Sequence, residues 1–277
     1  MGPRFLQHKE EAYWFYRYLS IVYDHYVNPW FWDKPMRDKA LTLADLSRSD
    51  LTVAEVGAGT GFTTEGICGF VDPKNVHALD QSDFQQAKAK KKKTLNGVSF
   101  YLGDAESLPW ETDRFDRYVS AGSIEYWPDP QRAIAEAYRI IKEGGTATII
   151  GPLQPKNKIA AFIAEVFMLF PTLDEYLQWY KDAGFIEIKY IFVRPPWVQS
   201  DDYAVSIVGK KPRAGESPWI PPTVRPAESL SEKSSSRQSV LLFLTRLSLG
   251  AIAGGIFIPI AVVTTAIIKI KAFFKNE

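Results

Sequence analysis

Cysteine and histidine are scarce in this 277-residue chain, and its positive and negative charges are nearly balanced. The single cysteine, Cys68, cannot form an internal disulfide, so nothing requires an oxidising compartment. With only His8, His25 and His77 beside it, we expect no metal site. The formal net charge of +1 provides no basic field for a polyanion, which argues against nucleic acid as a partner.

The first residues also lack the apolar core of a signal peptide and a transit segment rich in serine and arginine. We therefore expect either an untargeted protein or a chain from which the targeting segment is missing.

Composition divides the chain into four predicted regions. Residues 1–46 are rich in aromatics and predict a helical cap, whose rings pack onto the next domain, line an apolar pocket or touch a membrane surface. Residues 47–211 predict the main domain, and 212–239, rich in proline, serine and charge, predict a flexible linker. The region 240–277 contains an uncharged run, Leu247–Ile268, which as a helix spans about 33 Å and predicts one transmembrane anchor followed by a basic tail.

The main domain alternates apolar runs with helical patterns. Predicted helices at Thr63–Phe70, Phe84–Lys93 and Pro130–Lys142 separate five short strands, and two further strands follow near the end. This β-α-β rhythm predicts an α/β fold with a mostly parallel sheet and a C-terminal antiparallel hairpin.

A glycine-rich turn, Gly57-Ala-Gly-Thr-Gly61, follows the first predicted strand and precedes a helix. Glycines at these positions permit a tight turn and a close approach of the backbone to a ligand. Asp80 follows at the end of the second strand and Asp104 near the end of the third. Acids at such strand ends accept hydrogen bonds from ribose hydroxyls and an adenine amino group in nucleotide-binding sheets.

The glycine spacing distinguishes two ligands. A dinucleotide site favours G-x-G-x-x-G, whereas this chain has G-x-G-x-G with Glu55 before it, which resembles motif I of class I methyltransferases and implies S-adenosylmethionine as the cofactor. We expect the small residues at the end of the fourth strand to lie beside the methionine part of S-adenosylmethionine. The candidate cofactor-binding residues are Tyr23, Glu55, Gly57, Ala58, Gly59, Thr60, Gly61, Asp80, Gln81, Asp104, Ala105, Ser120 and Ala121.

Longer stretches extend the resemblance. The segment Tyr23–Asn28 resembles the Tyr-Asp-x-x-Asn segment of ubiquinone and menaquinone C-methyltransferases, with one more residue between Asp24 and Asn28. The stretches RFLQHKEEAYWFYRYLSIVYDH, EVGAGTGFTT and AGSIEYWPDPQ, with the apolar tail, resemble the plastid methyltransferases of tocopherol and plastoquinone synthesis. That resemblance implies a Rossmann-like class I methyltransferase fold, methyl transfer to the ring of a phytyl- or solanesyl-substituted benzoquinol, and a plastid inner-envelope location.

Ring methylation needs a group that receives the phenolic proton of the acceptor. The candidates are His25, Asp24 and Glu125, although each has an ordinary structural role open to it as well. Two other interpretations stay open from the sequence: a methyltransferase for another lipid, such as a sterol or a ubiquinone precursor, and a membrane-tethered scaffold without activity.

Overall fold

The computed structural model describes residues 32–156, 161, 169–196, 198, 203–221, 263 and 267. Within them, seven strands form one sheet in the order β3-β2-β1-β4-β5-β7-β6. The strands are β1 (Val53–Val56), β2 (Val76–Asp80), β3 (Ser99–Leu102), β4 (Phe115–Ala121), β5 (Ile141–Pro152), β6 (Ile186–Val193) and β7 (Ala204–Lys210).

Strands β1 to β5 pair in parallel, whereas β7 pairs antiparallel with both β5 and β6. The predicted mostly parallel sheet with antiparallel C-terminal strands is therefore confirmed. Every residue of β1 is buried, as expected for a central strand covered on both faces.

Helices cover both faces of this sheet. They are α1 (Lys34–Leu41), α2 (Phe62–Ile67), α3 (Asp83–Ala89), α4 (Pro130–Ile140) and α5 (Leu173–Asp182). On one face, Met36 of α1 and Ile67 of α2 share an apolar cluster with Val53, and on the other Ile134 of α4 and Tyr180 of α5 share a cluster with Ala54.

Local signals explain where these helices begin. The side chain of Asp129 accepts a hydrogen bond from the Arg132 N–H, and Pro130 opens α4, where a missing N–H costs nothing. Thr172 and Glu175 cap α5 reciprocally through each other's backbone N–H groups. Helices α2 and α3 are shorter than their sequence patterns predict.

The predicted linker is wrong in its first part. Residues 212–221 lie against the domain, where Gly215 N–H donates to Asp113 Oδ2 over 2.8 Å and Ser217 Oγ donates to the Ala183 carbonyl over 2.9 Å. Lys211, which is fully buried, donates to Asp113 Oδ1 over 2.6 Å and to the Gly215 carbonyl over 2.6 Å. These contacts hold residues 212–221 against the domain, so their proline and serine content does not by itself indicate a flexible linker. Residues 222–239 lie outside the described residues.

The predicted membrane anchor also falls outside the described residues, apart from Val263 and Ile267, which are helical and exposed. Among the residues that the structure describes, no helix has the length and apolar character needed to cross a bilayer. Most of the predicted N-terminal cap, residues 1–31, likewise lies outside them. Its described end contains α1, which packs onto the sheet and whose Ala40 carbonyl accepts a hydrogen bond from Ser206 Oγ over 2.9 Å.

A candidate cofactor cleft at the carboxyl ends of the strands

A cleft opens where β1, β2, β3 and β4 end. The cleft is lined by residues 56–60, 79–82, 103–105, 121–123 and 125–128, together with Trp32, Thr63 and Gln85. The cavity volume is about 180 Å³, and the cleft is open to solvent at its mouth. It lies at the edge where open α/β sheets bind ligands.

The glycine turn after β1 forms one side of the cleft. Gly57, Gly59 and Gly61 have φ angles of 78°, 54° and 84°, a region that favours glycine. A Cβ on Gly57 would lie 2.3 Å from Ser123 Oγ, and one on Gly59 would lie 2.6 Å from Gln85 Oε1. Glycine at these two positions therefore lets the turn pack against Ser123 and Gln85, and both glycines line the cleft.

Asp80, the last residue of β2, joins the glycine turn to the next helix. Its Oδ2 accepts from Gly59 N–H over 2.7 Å and its Oδ1 from Ser82 N–H over 2.8 Å. Burial raises the pKa of this carboxyl, although the backbone donors oppose the rise. Each carboxylate oxygen has further acceptor capacity, so Asp80 can also receive hydroxyl donors from a ligand.

Asp104 and Ala105 follow β3 by two and three residues and line the neighbouring wall. Asp104 Oδ1 accepts from Glu106 N–H over 3.0 Å, which fixes the direction of the carboxylate. The prediction that Asp80 and Asp104 belong to one site is consistent with their position on the same cleft.

The turn after β4 carries an aromatic wall. Residues Ile124–Tyr126 form a 3₁₀ turn, and Trp127 Nε1 donates to Ser123 Oγ over 2.9 Å. Glu125 lines the cleft beside these rings, and its Oε2 is buried with no hydrogen-bond partner among the described residues. Burial raises the pKa of Glu125 to about 7.

Three predicted cofactor residues do not line the cleft. Glu55 lies on β1 between Ala54 and Val56 and faces the side of the sheet covered by α1 and α2, where burial raises its pKa to about 8. Gly61 is the N-cap of α2, and Ser120 is fully buried within the sheet. The structure brings together the other predicted positions that it describes, namely Gly57, Ala58, Gly59, Thr60, Asp80, Gln81, Asp104, Ala105 and Ala121.

Tyr23, Asp24 and His25 lie outside the described residues, so their predicted roles stay predictions. Sequence reasoning did not single out Ser82 and Gln85, which line the cleft from the start of α3. Ser82 caps that helix by accepting a hydrogen bond from Gln85 N–H over 3.3 Å. A serine two residues after the strand-end acid was the available signal for this helix start.

Metal-ligating residues do not cluster in the described part of the chain, where no group of three or more histidines, cysteines or acids has suitable geometry. The cleft instead provides backbone, carboxylate and aromatic groups.

Comparison with known proteins gives consistent matches. A family model described as a methyltransferase domain matches residues 54–149. The chloroplastic 2-methyl-6-phytyl-1,4-hydroquinone methyltransferase of Arabidopsis thaliana is 49% identical over 265 residues, which are 94% of this chain and 77% of that protein. The enzyme of the same name from Spinacia oleracea is 48% identical over 266 residues, covering 94% of this chain and 75% of that protein.

Solved structures share the fold at low sequence identity. A putative methyltransferase solved with the Haloferax volcanii Trm112 activator has a TM-score of 0.59 and 20% identity, covering 75% of this chain and 98% of that chain. Geranyl diphosphate C-methyltransferase from Streptomyces coelicolor, in complex with S-adenosyl-L-homocysteine, has a TM-score of 0.55 and 14% identity. The match covers 65% of this chain and 77% of that chain. The Rossmann-like class I methyltransferase fold is therefore shown for the domain.

Proposed function

Because this chain belongs to the family of 2-methyl-6-phytyl-1,4-hydroquinone methyltransferases, we propose that it methylates a ring carbon of a 2-methyl-6-prenyl-1,4-hydroquinone. The methyl donor is S-adenosylmethionine, and the protein is an S-adenosylmethionine-dependent methyltransferase. The observation that carries the proposal is the single cleft that gathers the glycine turn, Asp80, Asp104 and an aromatic wall.

The residues of the cleft fit this cofactor. Gly57 and Gly59 line the cleft, and their positive φ angles form a tight turn whose backbone can approach a ligand closely. Asp80 provides acceptors for ribose hydroxyls, and Asp104 provides one for the adenine amino group. Bound there, S-adenosylmethionine supplies an electrophilic methyl group, whose bond to sulfur breaks as the ring carbon attacks.

Other predicted cofactor residues act from outside the cleft. Glu55, Gly61 and Ser120 support the turn and the strand end that carry the lining backbone. Holding two reactants in attack geometry removes much of the entropic barrier to a bimolecular reaction, which is the main contribution expected of such a rigid frame.

The acceptor ring is expected beside Trp32, Tyr126 and Trp127, which line the same cleft. Aromatic faces suit a flat hydroquinone, and apolar surroundings suit its prenyl chain. A head-to-head assay with a labelled methyl donor tests this assignment. We expect methylation of phytyl- and solanesyl-substituted hydroquinones, whereas transfer only to a sterol or a ubiquinone precursor would refute it.

The relatives are named chloroplastic, which supports a plastid location for this chain. We further propose that the apolar run Leu247–Ile268 anchors it in the inner envelope membrane, close to a lipid-soluble acceptor. Deleting the residues after Ser239 should release the protein from membranes and leave S-adenosylmethionine binding intact. A truncated protein that still sediments with membranes would contradict the anchor.

A further inference from the structure

Glu125 combines a position on the cleft with an unsatisfied carboxylate. The residue as a whole is partly exposed, because it lines the cleft, yet its Oε2 atom is buried and has no hydrogen-bond partner among the described residues. Its Oε1 lies 3.9 Å from the point where a Cβ on Gly122 would stand, so the side chain extends along the turn after β4. A buried carboxylate oxygen without a donor is costly, and such groups are normally paired.

The surrounding structure holds Glu125 firmly. Its carbonyl accepts from Leu169 N–H over 3.2 Å, which connects the turn to the segment before α5. Tyr176 of α5 packs beneath the same turn and donates its hydroxyl to the Pro152 carbonyl over 3.1 Å. The hydroxyl of Tyr176 is thereby committed elsewhere, so it does not satisfy the carboxylate.

The other two acids of the cleft differ in this respect. Asp80 accepts two backbone N–H groups, and Asp104 accepts one from Glu106. Their positions at the ends of β2 and β3 suit a nucleoside, whereas Glu125 lies after β4 among the aromatic rings. Glu125 is thus the acid whose acceptor capacity is left for the second reactant.

We propose that Glu125 is a catalytic residue that accepts the phenolic proton of the hydroquinone. The proposal rests on the proposed function. The phenolic O–H bond breaks, the proton moves to a Glu125 carboxylate oxygen, and the electron pair stays on the phenolic oxygen and increases the electron density of the ring. As the ring carbon forms its bond to the methyl group, the bond between that methyl group and the sulfonium sulfur of the donor would break, and its electron pair would stay on sulfur. The ring carbon then releases its own proton to water, and Glu125 returns the first proton to the oxygen.

The electrostatic surroundings suit a base that works near neutrality. Burial raises the pKa of Glu125 to about 7, while its own backbone N–H opposes the rise. The titratable groups around it in the described structure are Tyr176, whose pKa lies far above neutrality, Tyr126 of the same turn, and Asp80 and Asp104 across the cleft. A base is most effective when its pKa lies near the working pH, and this kind of catalysis contributes about 10²–10⁴-fold.

The test compares Glu125→Gln with the wild-type full-length chain in detergent, using a prenylated hydroquinone. We expect kcat to fall about 10²–10⁴-fold, with the dissociation constant of S-adenosylmethionine unchanged by calorimetry. The rise of the wild-type rate with pH through about 7 should disappear in the variant. Glu143→Gln is the matched control, because Glu143 is exposed on β5 and does not line the cleft.

A second acceptor separates proton removal from a structural role. A ring-halogenated hydroquinone ionises more readily, so Glu125→Gln should lose less activity on it than on the parent. Glu125→Asp should keep part of the rate and the pH dependence. Equal losses on both acceptors, or an unchanged kcat, would overturn the proposal.

Weaker S-adenosylmethionine binding with kcat restored at saturation would also overturn the role of Glu125, because Glu125 would then be a cofactor ligand. A wild-type chain that binds S-adenosylmethionine but methylates no hydroquinone would instead refute the proposed function, which is a distinguishable result.

Discussion

The backbone N–H of Gly59 donates to Oδ2 of Asp80 over 2.7 Å, so the glycine turn after β1 is bound directly to the end of β2. Asp80→Ala removes this bond and the acceptor proposed for the ribose hydroxyls. We expect S-adenosylmethionine to bind more weakly by about 1–3 kcal/mol, the cost of leaving such donors unpaired.

Calorimetric titration measures the effect of Asp80→Ala. Asp83→Ala is the control, since Asp83 is exposed on α3 and does not line the cleft. Equal affinities for the wild type and Asp80→Ala would exclude the proposed role.

Gly57→Ala tests whether the glycine turn needs an empty position. The new Cβ would meet Ser123 Oγ at 2.3 Å, and φ is 78°, so both space and backbone conformation oppose it. We expect cofactor affinity to fall at least about tenfold, the equivalent of about 1.4 kcal/mol. Equilibrium binding to S-adenosylmethionine gives the measurement.

Gly144→Ala is a control for backbone strain outside the cleft, because Gly144 has a similar φ of 77° but no atom within 4 Å of the added Cβ. It should share the conformational cost of about 1–2 kcal/mol in stability and keep full affinity. Ser123→Gly combined with Gly57→Ala should recover part of the binding. If Ser123→Gly restored no binding to Gly57→Ala, backbone strain rather than the collision would be responsible.

The ion pair between Lys211 and Asp113 helps to hold residues 212–221, for which the sequence predicts a flexible linker. Asp113→Asn keeps the shape of the side chain but leaves the buried Lys211 ammonium without its carboxylate. Breaking a buried ion pair costs about 3–5 kcal/mol. Because the Asp113 side chain is 31% exposed, we expect the free energy of unfolding to fall by about 2–3 kcal/mol.

Urea denaturation measures the stability of Asp113→Asn, and Lys211→Met completes a double-mutant cycle in which the two losses should not add. Both residues lie at the amino-terminal edge of the parallel strands, so cofactor affinity should be unchanged. Additive losses would show that the two side chains do not interact.

The cleft could be predicted from the sequence to the extent that its residues are tied to strand ends. Gly57, Asp80 and Asp104 each follow a short apolar run, and parallel strands bring their carboxyl ends to one edge. The direction of Glu55 could not be predicted, because a fully buried strand lacks the polar alternation that distinguishes its two faces. The contact between Lys211 and Asp113 joins residues 98 positions apart, and no local pattern encodes it.

Helix lengths show the same difference between local and tertiary information. The pattern at Phe84–Lys93 predicts one long helix, but α3 ends at Ala89 and Lys93–Leu95 forms a separate 3₁₀ turn. Leu95 is buried there, and Lys92 forms an ion pair with Glu65 of α2 over 2.8 Å. Packing against α2 thus takes precedence over the helical propensity of the lysines.

Glu55 makes a prediction about stability as a function of pH. Burial and the nearby Asp80 charge raise its pKa from 4.5 to about 8, although Thr64, Lys92 and Arg37 oppose the rise. Between these two pH values the unfolded chain ionises this carboxyl while the folded protein keeps it protonated. The folded state then binds more protons, so stability falls as pH rises through this range.

Glu55→Gln keeps the size of the side chain and cannot ionise. Its free energy of unfolding should therefore depend less on pH between 4.5 and about 8, and near pH 8 should exceed that of the wild type, by an amount on the order of a few kcal/mol. Thermal or urea unfolding across this range measures the slope.

Glu65→Gln provides a control of opposite sign. Burial acts to raise the pKa of Glu65, but the bonds from Lys92 and Thr94 outweigh it and lower the pKa. The Glu65 carboxylate therefore stabilises the fold above its unfolded pKa, and this contribution is lost as pH falls through the lower folded value. Glu65→Gln should lower stability at neutral pH and remove part of the acid-induced loss.

If the free energy of unfolding of Glu55→Gln varied with pH as steeply as that of the wild type, Glu55 would be ionised in the folded protein, with a donor supplied to its Oε2.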